Sequence, residues 1–263
     1  MNPPAMRLQL LSDLHLETEA FDPSPATGAE LLVLAGDIDS TWAGLERFRG
    51  WPVPVIFVAG NHEFDGREFT TAWPALRERC RTLGFTVLEC ESVVLTSEQG
   101  QRVRFIGTTR WCDFDLFGSA GRERAMRAAG YFMRLMAATR HGRPFDAAQA
   151  RDEALACRAW LEAELRRPPD DWDTTVVITH FGPSRRSTDP RYGDQPGSAS
   201  FCNADDDLLP LAPLWIHGHL HCRHDYTVSA GSGAPTRVVC NARGHARKGE
   251  ADGFDGLKVF DVG

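Results

Sequence analysis

At 263 residues, with 42% apolar and 25% charged side chains, the chain is long enough to bury a sizeable core, as one large domain or two small ones. A formal net charge of −7 counts against a broad nucleic-acid surface, and the arginine-rich stretch at residues 122–127 reads as a solvated helix face. Seven cysteines, odd in number and without a Cys-x-x-Cys pair, count against a disulfide framework or a thiolate zinc site.

Taken in chain order, Arg7-Leu8-Gln9-Leu10-Leu11 reads as a first strand, too short and too polar for a signal peptide. No segment is suited to span a bilayer, and with the unpaired cysteines this gives the expectation of a cytoplasmic protein. The strand ends at Ser12-Asp13-Leu14-His15, where period-two alternation of an extended chain would place Asp13 and His15 on one side. Leu31-Leu32-Val33-Leu34-Ala35 reads as a second, fully buried strand, ending in Gly36-Asp37. A short helix around residues 45–48 precedes a third strand, Val55-Ile56-Phe57-Val58-Ala59, which delivers Gly60-Asn61-His62-Glu63.

The segment from about Arg67 to Leu83 carries Phe69, Ala72, Trp73, Leu76, Cys80 and Leu83 at spacings of three and four, the pattern of an amphipathic helix. Short strands follow at residues 86–88, 93–96 and 103–106, leading into an aromatic loop with Trp111 and Phe114. Two helical stretches come next, one with Met126, Ala129, Met133 and Met136 in a stripe and one with Ala154, Cys157, Leu161 and Leu165. Such a methionine stripe fits core or partner-helix packing, and the pair could cap a site or mediate self-association. After Pro168-Pro169, the strand Thr174–Ile178 delivers Thr179-His180, and a long Gly/Pro/Ser-rich loop runs over residues 182–203. The strand Leu214-Trp215-Ile216 opens onto His217-Gly218-His219-Leu220-His221, and three last strands fall at 225–229, 236–240 and 257–260. Without a repeat or a clear linker, residues 1–263 read as a single α/β domain.

Alternating strands and helices make an α/β fold, in which ligands gather at the carboxyl ends of the strands. Five of the nine histidines (His15, His62, His180, His219 and His221) stand at such ends, accompanied by Asp13, Asp37 and Asn61. His141, His217, His224 and His245 take the ordinary reading of structural residues. Imidazole and carboxylate without thiolate suit manganese, iron or zinc better than calcium or magnesium. Seven ligands drawn from these eight residues are too many for one tetrahedral ion and about right for two ions sharing a carboxylate.

The ordered set Asp13-x-His15, Gly36-Asp37, Gly60-Asn61-His62-Glu63, His180 and Gly218-His219-x-His221 resembles the calcineurin-like metallophosphoesterases. The resemblance implies a four-layer αββα sandwich, here with a helical insertion at about 120–167, and two metal ions, manganese before iron or zinc. It further implies that Asp13, His15 and His221 hold one ion, that Asn61, His180 and His219 hold the other, and that Asp37 bridges them. His62 is then the general acid beside the leaving oxygen, and a hydroxide shared by the ions attacks phosphorus. The implied activity is hydrolysis of small phosphomonoesters or phosphodiesters, with a cyclic-nucleotide or nucleotide phosphodiesterase, a nuclease and a catalytically silent scaffold as alternatives.

The Asp-Arg-Gly element of the Ser/Thr protein phosphatases is replaced by Ile38-Asp39-Ser40-Thr41, which counts against a phosphoprotein phosphatase. The partner carboxylate of the catalytic histidine in those enzymes falls at Ser40, and whether the neighbouring Asp39 substitutes is left open by the sequence. Smaller bacterial members look closer, through Leu11–Glu17, His180-x-Gly182-Pro183-Ser184, Trp215–His219 and Cys240-Asn241-Ala242-Arg243-Gly244. Trp111, Phe114, Arg185, Arg186, Asn203 and Arg243 are the residues placed to choose a substrate.

Overall fold

The computed structural model describes residues 5–229 and 235–262. Three apolar runs become the parallel strands β1 (Met6–Leu11), β2 (Leu31–Ala35) and β3 (Val55–Val58). Helix α1 (Phe69–Leu83) follows, stopped by Gly84 at φ 82°, a left-handed position at which glycine lacks the steric penalty of a side chain. Then come β4 (Phe85–Val87), β5 (Glu91–Thr96) and β6 (Arg102–Thr108). Helix α2 (Arg122–Met136), the small hairpin β7 (Thr139–Arg140) and β8 (Arg143–Pro144), and α3 (Ala147–Leu165) fill the middle of the chain. The last strands are β9 (Thr174–Thr179), β10 (Leu214–His217), β11 (Arg223–Val228), β12 (Thr236–Asn241) and β13 (Val259–Val262).

The strands form two larger sheets, ordered β13-β1-β2-β3-β4 and β11-β12-β10-β9-β6-β5. Both are parallel in the middle, and their antiparallel pairs lie at the margins, β13 on β1, β11 on β12 and β5 on β6. Alternation explains why the central runs are apolar throughout. Leu31, Val33 and Ile56 point between the sheets, where they meet Phe105, Val176, Ile178 and Ile216. Leu32, Leu34 and Phe57 point the other way, onto Ala72, Leu76 and Cys80 of α1. On the far side, Ile106, Val177, Trp215 and Val238 pack against Leu161 and Leu165 of α3. Helix, sheet, sheet and helix therefore stack as four layers, each fully buried aliphatic side chain contributing about 1.5–3 kcal/mol.

The two helices expected between about 120 and 167 divide their work. α3, capped by the Asp146 carboxylate on the Ala148 and Gln149 amides, belongs to the outer layer. α2 buries only Ala125, Ala129 and Met136, and leaves Tyr131, Phe132 and Leu135 exposed. Its end is tied to the loop after β3 by the Gly66 amide on Met136 O (2.8 Å) and the Thr139 amide on Arg67 O (2.8 Å). That anchor sets α2 beside the carboxyl ends of the strands.

Candidate metal centre

Asp13 and His15 follow β1, Asp37 follows β2, Asn61 and His62 follow β3, His180 follows β9, and His219 and His221 follow β10. Three of these strands lie in one sheet and two in the other, so all eight residues converge where the carboxyl ends of both sheets meet. The turns are stitched together by Asp13 N–H on Gly36 O (3.0 Å), His15 N–H on Asp37 O (3.2 Å) and Gly218 N–H on His180 O (2.9 Å). The His219 amide crosses between the sheets to the Asp13 carboxylate at 2.9 and 3.0 Å.

Asp13, His15, Asp37, His219 and His221 all have φ between 47° and 71°. A non-glycine residue held there costs of order 1–3 kcal/mol, and such strain collects at functional sites. Asp13 and His15 thus reach the same side through left-handed turns after β1 has ended at Leu11, and not through the alternation of an extended strand.

One pole of the site is built from His15 and His221, whose Nε2 atoms stand 3.0 Å apart, with Asp13 Oδ1 3.6 Å from His221 Nε2. His221 Nδ1 lies 2.7 Å from Glu250 Oε2, and His15 Nδ1 lies 3.3 Å from Glu17 Oε1. A carboxylate at Nδ1 holds the proton there and leaves a lone pair on Nε2. Two lone pairs facing across 3.0 Å repel unless a proton or a metal cation lies between them. The gap matches two adjacent nitrogens on one ion at metal–nitrogen distances of about 2.0–2.1 Å.

The other pole repeats the device. His180 Nε2 stands 3.2 Å from His219 Nδ1 and 3.2 Å from Asp37 Oδ2. His180 Nδ1 faces Ala35 O (2.9 Å) and His219 Nε2 faces Ser200 O (3.3 Å), so again the free nitrogens look at each other. Asp37 Oδ2 and Asn61 Oδ1 are buried without a hydrogen-bond donor, because the His180 approach to Asp37 lacks hydrogen-bond geometry. An orphaned buried acceptor costs about 1–3 kcal/mol, which a cation offsets. Ligand atoms of Asp37 lie within 4.8 Å of those of His180 and His219, and likewise of those of Asp13 and His15. The donor set therefore fits two cations with Asp37 between them. Glycines make the close approach possible: a Cβ on Gly36 would meet His180 Nδ1 at 2.3 Å, and one on Gly60 would meet Asp37 Oδ1 at 2.2 Å.

The electrostatics call for positive charge. Burial disfavours the ionised form of Asp37, yet facing His180 and His62 hold its carboxyl well below the usual range. Burial also disfavours protonated His180, but Asp37 carries its pKa to about 9. His62 behaves similarly: burial is outweighed by Asp37 and Asp65, and its pKa rises to about 10. Its Nδ1 lies 2.7 Å from Asp65 Oδ2, its ring stands edge-on to His15 at 5.1 Å, and it joins none of the ligand groups among the described residues. Asp65 is thus the partner, in the place the sequence left open to Asp39. Asp39 instead caps the backbone amides of Thr41 (2.7 Å) and Gly44 (2.8 Å).

Asp37, Asn61, His62, His219 and His221 open onto a cleft of about 570 Å³, with the buried Asp13, His15 and His180 beneath. Its apolar wall comes from Phe132, Met133 and Met136 of α2, continued by Phe181 and Phe201. Asp189, Arg191, Tyr192 and Gln195 line it from the long loop after β9, and His245, Lys248 and Glu250 from the loop after β12. The residues expected to choose a substrate lie elsewhere. Trp111 and Phe114 are core, Asn203 is buried against Asp113 N (3.0 Å) and Arg110 O (3.1 Å), and Arg243 is paired with Glu19 (3.0 Å). Arg185 is paired with Asp194, and neither it nor Arg186 lines the cleft. Sequence reasoning missed Asp65, Glu17, Glu250 and His245. The first two had a signal, a carboxylate two or three residues after a strand-end histidine; the last two sit in the irregular loop behind Cys240–Gly244, where no periodic pattern marks them.

Two facing imidazole pairs that share a strand-end carboxylate over an open cleft are what a phosphoester hydrolase with two ions requires. The chain belongs to the calcineurin-like phosphoesterase family, which matches residues 6–223, and is an enzyme of phosphoester hydrolysis. Among solved structures it is similar to the phosphopantetheinyl hydrolase from Mycobacterium tuberculosis, at 20% identity and a TM-score of 0.71, over 99% of this chain and 96% of that one. At that identity the likeness speaks for the fold. No curated protein sequence matches the chain. Among the described residues no helix is long and apolar enough to cross a membrane.

Proposed function

We propose that this chain hydrolyses a small-molecule phosphodiester, one arm of which is extended and largely uncharged. The observation that carries the reaction is Asp37, buried between two pairs of facing imidazole nitrogens with one carboxylate oxygen left without a donor. Asp13, His15 and His221 would hold one ion and Asn61, His180 and His219 the other, with the Asp37 carboxylate available to both. Because the ligands come from both sheets, the chain works as one domain. Manganese leads the candidates, since the donors are imidazole, carboxylate and amide without thiolate. Seven cysteines without disulfides support a reducing, cytoplasmic setting.

The two ions, when bound, offset the charge of the phosphate and make a water acidic enough to attack at neutral pH. The protein's own residues do the rest. Asp65 fixes the His62 ring by its Nδ1, which directs Nε2 into the cleft as the proton donor to the leaving oxygen. General acid catalysis of this kind contributes about 10²–10⁴-fold. The apolar wall of Phe132, Met133 and Met136 excludes water and aligns the departing alcohol.

The size of the cleft favours an ester with a large arm, because a phosphate with one small substituent would leave most of about 570 Å³ unfilled. A pantetheine-like arm suits the apolar wall and agrees with what the similar Mycobacterium tuberculosis enzyme is named for. The test compares a chromogenic bis-ester with its monoester after Mn²⁺ is restored. Faster turnover of the bis-ester is expected, equal or faster turnover of the monoester refutes the diester preference, and no turnover of either refutes the reading.

A further inference from the structure

We propose that His245 is a third imidazole donor to the cation held by Asp13, His15 and His221, so that the two ions sit in unequal shells. The inference rests on the two-ion reading above and deepens it. His245 lies in the loop after β12, directly behind the Cys240–Gly244 stretch and outside the seven ligand positions, and its ligand atom falls within 4.8 Å of those of His15 and His221. Its ring centroid is 4.6 Å from that of His15 and 5.1 Å from that of His221. The ring of His62 is nearly as close to His15, at 5.1 Å, but its nitrogens do not join the group. Nearness alone therefore does not make the set; direction does.

The construction of His245 matches that of its neighbours. Nδ1 lies 3.3 Å from Glu19 Oε1, as Nδ1 of His15 faces Glu17 and Nδ1 of His221 faces Glu250. At His221 and His245 the hydrogen-bonded carboxylate keeps the proton on Nδ1 and leaves the Nε2 lone pair free, the arrangement found behind metal-bound histidines, and at His15 the Glu17 carboxylate stands on the same side of the ring. The backbone is fixed by the same carboxylates. Glu250 Oε2 accepts from both His221 Nδ1 (2.7 Å) and the His245 amide (2.9 Å), so one side chain sets two imidazoles. Glu19 Oε2 accepts from the Ala246 amide (3.0 Å) and from Arg243 Nη1 (3.0 Å). Gly244, at φ 67°, lets the loop close: a Cβ there would stand 2.8 Å from His221 Cβ. With His245, one ion has three imidazoles against two for the other, and the richer pole fills first with an imidazole-preferring ion.

Metal-free protein titrated with Co²⁺ tests this through the visible absorption of the bound ion and the stepwise affinities. His245→Ala is expected to weaken one of two Co²⁺ ions at least about tenfold and to change its spectrum, a loss no smaller than that of a residue merely supporting a ligand. His245→Gln, which keeps a hydrogen-bond donor for Glu19, is expected to do the same, and His62→Ala is expected to leave affinities and spectrum as they are. Two ions bound by His245→Gln with unchanged affinities and spectrum overturn the inference. A wild-type protein that binds fewer than two Co²⁺ ions overturns the two-ion reading itself, which distinguishes the two failures.

Discussion

Replacing Gly60 by Ala adds one methyl group at the most crowded point of the metal centre. The backbone of Gly60 lies outside the left-handed region, so the effect is steric and not conformational. The new Cβ would stand 2.2 Å from Asp37 Oδ1, 2.7 Å from the Asp37 amide nitrogen and 2.7 Å from His180 Cε1. Side-chain Cβ contacts essentially never fall below 3.0 Å, so Asp37 Oδ1 must yield by about 0.8 Å. It cannot do so freely, because it accepts from the His62 amide at 2.9 Å while the Asp37 amide is held by Glu63 Oε2 at 3.0 Å. Overpacking of this kind costs about 1–3 kcal/mol. A displacement near 1 Å in a catalytic array costs roughly 10²-fold in rate. Urea unfolding of the metal-free protein reads the first effect, and metal analysis after dialysis with a turnover assay reads the second. Gly130→Ala is the internal control: it lies inside α2, its Cβ would meet nothing nearer than Arg134 Nη1 at 3.6 Å, and it should stabilise by about 0.5–1 kcal/mol. Gly60→Ala with wild-type stability, metal content and turnover would refute the claim that Asp37 and His180 are positioned by this contact.

Other perturbations separate the parts of the site from the parts of the scaffold. His62→Ala should keep both ions by metal analysis and lower turnover about 10²–10⁴-fold; loss of metal instead would make His62 a ligand. Asp205→Ala removes the carboxylate that accepts from Nε (2.9 Å) and Nη2 (2.8 Å) of the fully buried Arg110, and urea unfolding should show a loss of about 3–5 kcal/mol, with less than 1 kcal/mol contradicting the pairing. Burial, with His224 beside it, pushes the His217 imidazole down to about 3, whereas the unfolded chain titrates near 6.5. The unfolded state therefore takes up a proton that the folded state refuses, and stability is lost as pH falls from about 6.5 toward 3, by about 1.4 kcal/mol per pH unit. Metal-free wild type should lose stability more steeply than His217→Asn between those limits, and parallel slopes would contradict the buried neutral imidazole.

The strands were legible because β2 and β3 are buried on both faces, so that Leu31–Ala35 and Val55–Val58 read as unbroken apolar runs with polar residues placed abruptly after them. That abruptness, repeated after β9, made Asp37, Asn61 and His180 visible as candidates. The partners that orient the imidazoles were less legible, because Glu250 reaches His221 across 29 positions and Glu19 reaches His245 across 226, separations no periodic pattern encodes. The aromatic loop misled for a related reason. Left-handed turns at Arg110 (φ 52°) and Phe114 (φ 63°) fold it inward, where Trp111 packs at 5.2 Å on Phe145 and 5.6 Å on Phe181, so residues expected to choose a substrate are core. α2 shows the opposite case. Its methionine stripe suits packing, and Met133 and Met136 do pack on the core, but the same side chains also face the cleft.

The central claim is that Asp37 lies between two cations. Anomalous diffraction at the manganese edge, from crystals grown with Mn²⁺, tests it most directly. Two peaks about 3.5–4 Å apart are expected, one beside His15 and His221 and one beside His180 and His219, with the Asp37 carboxylate reaching both. A single peak, or two peaks that leave Asp37 uncoordinated, would contradict it.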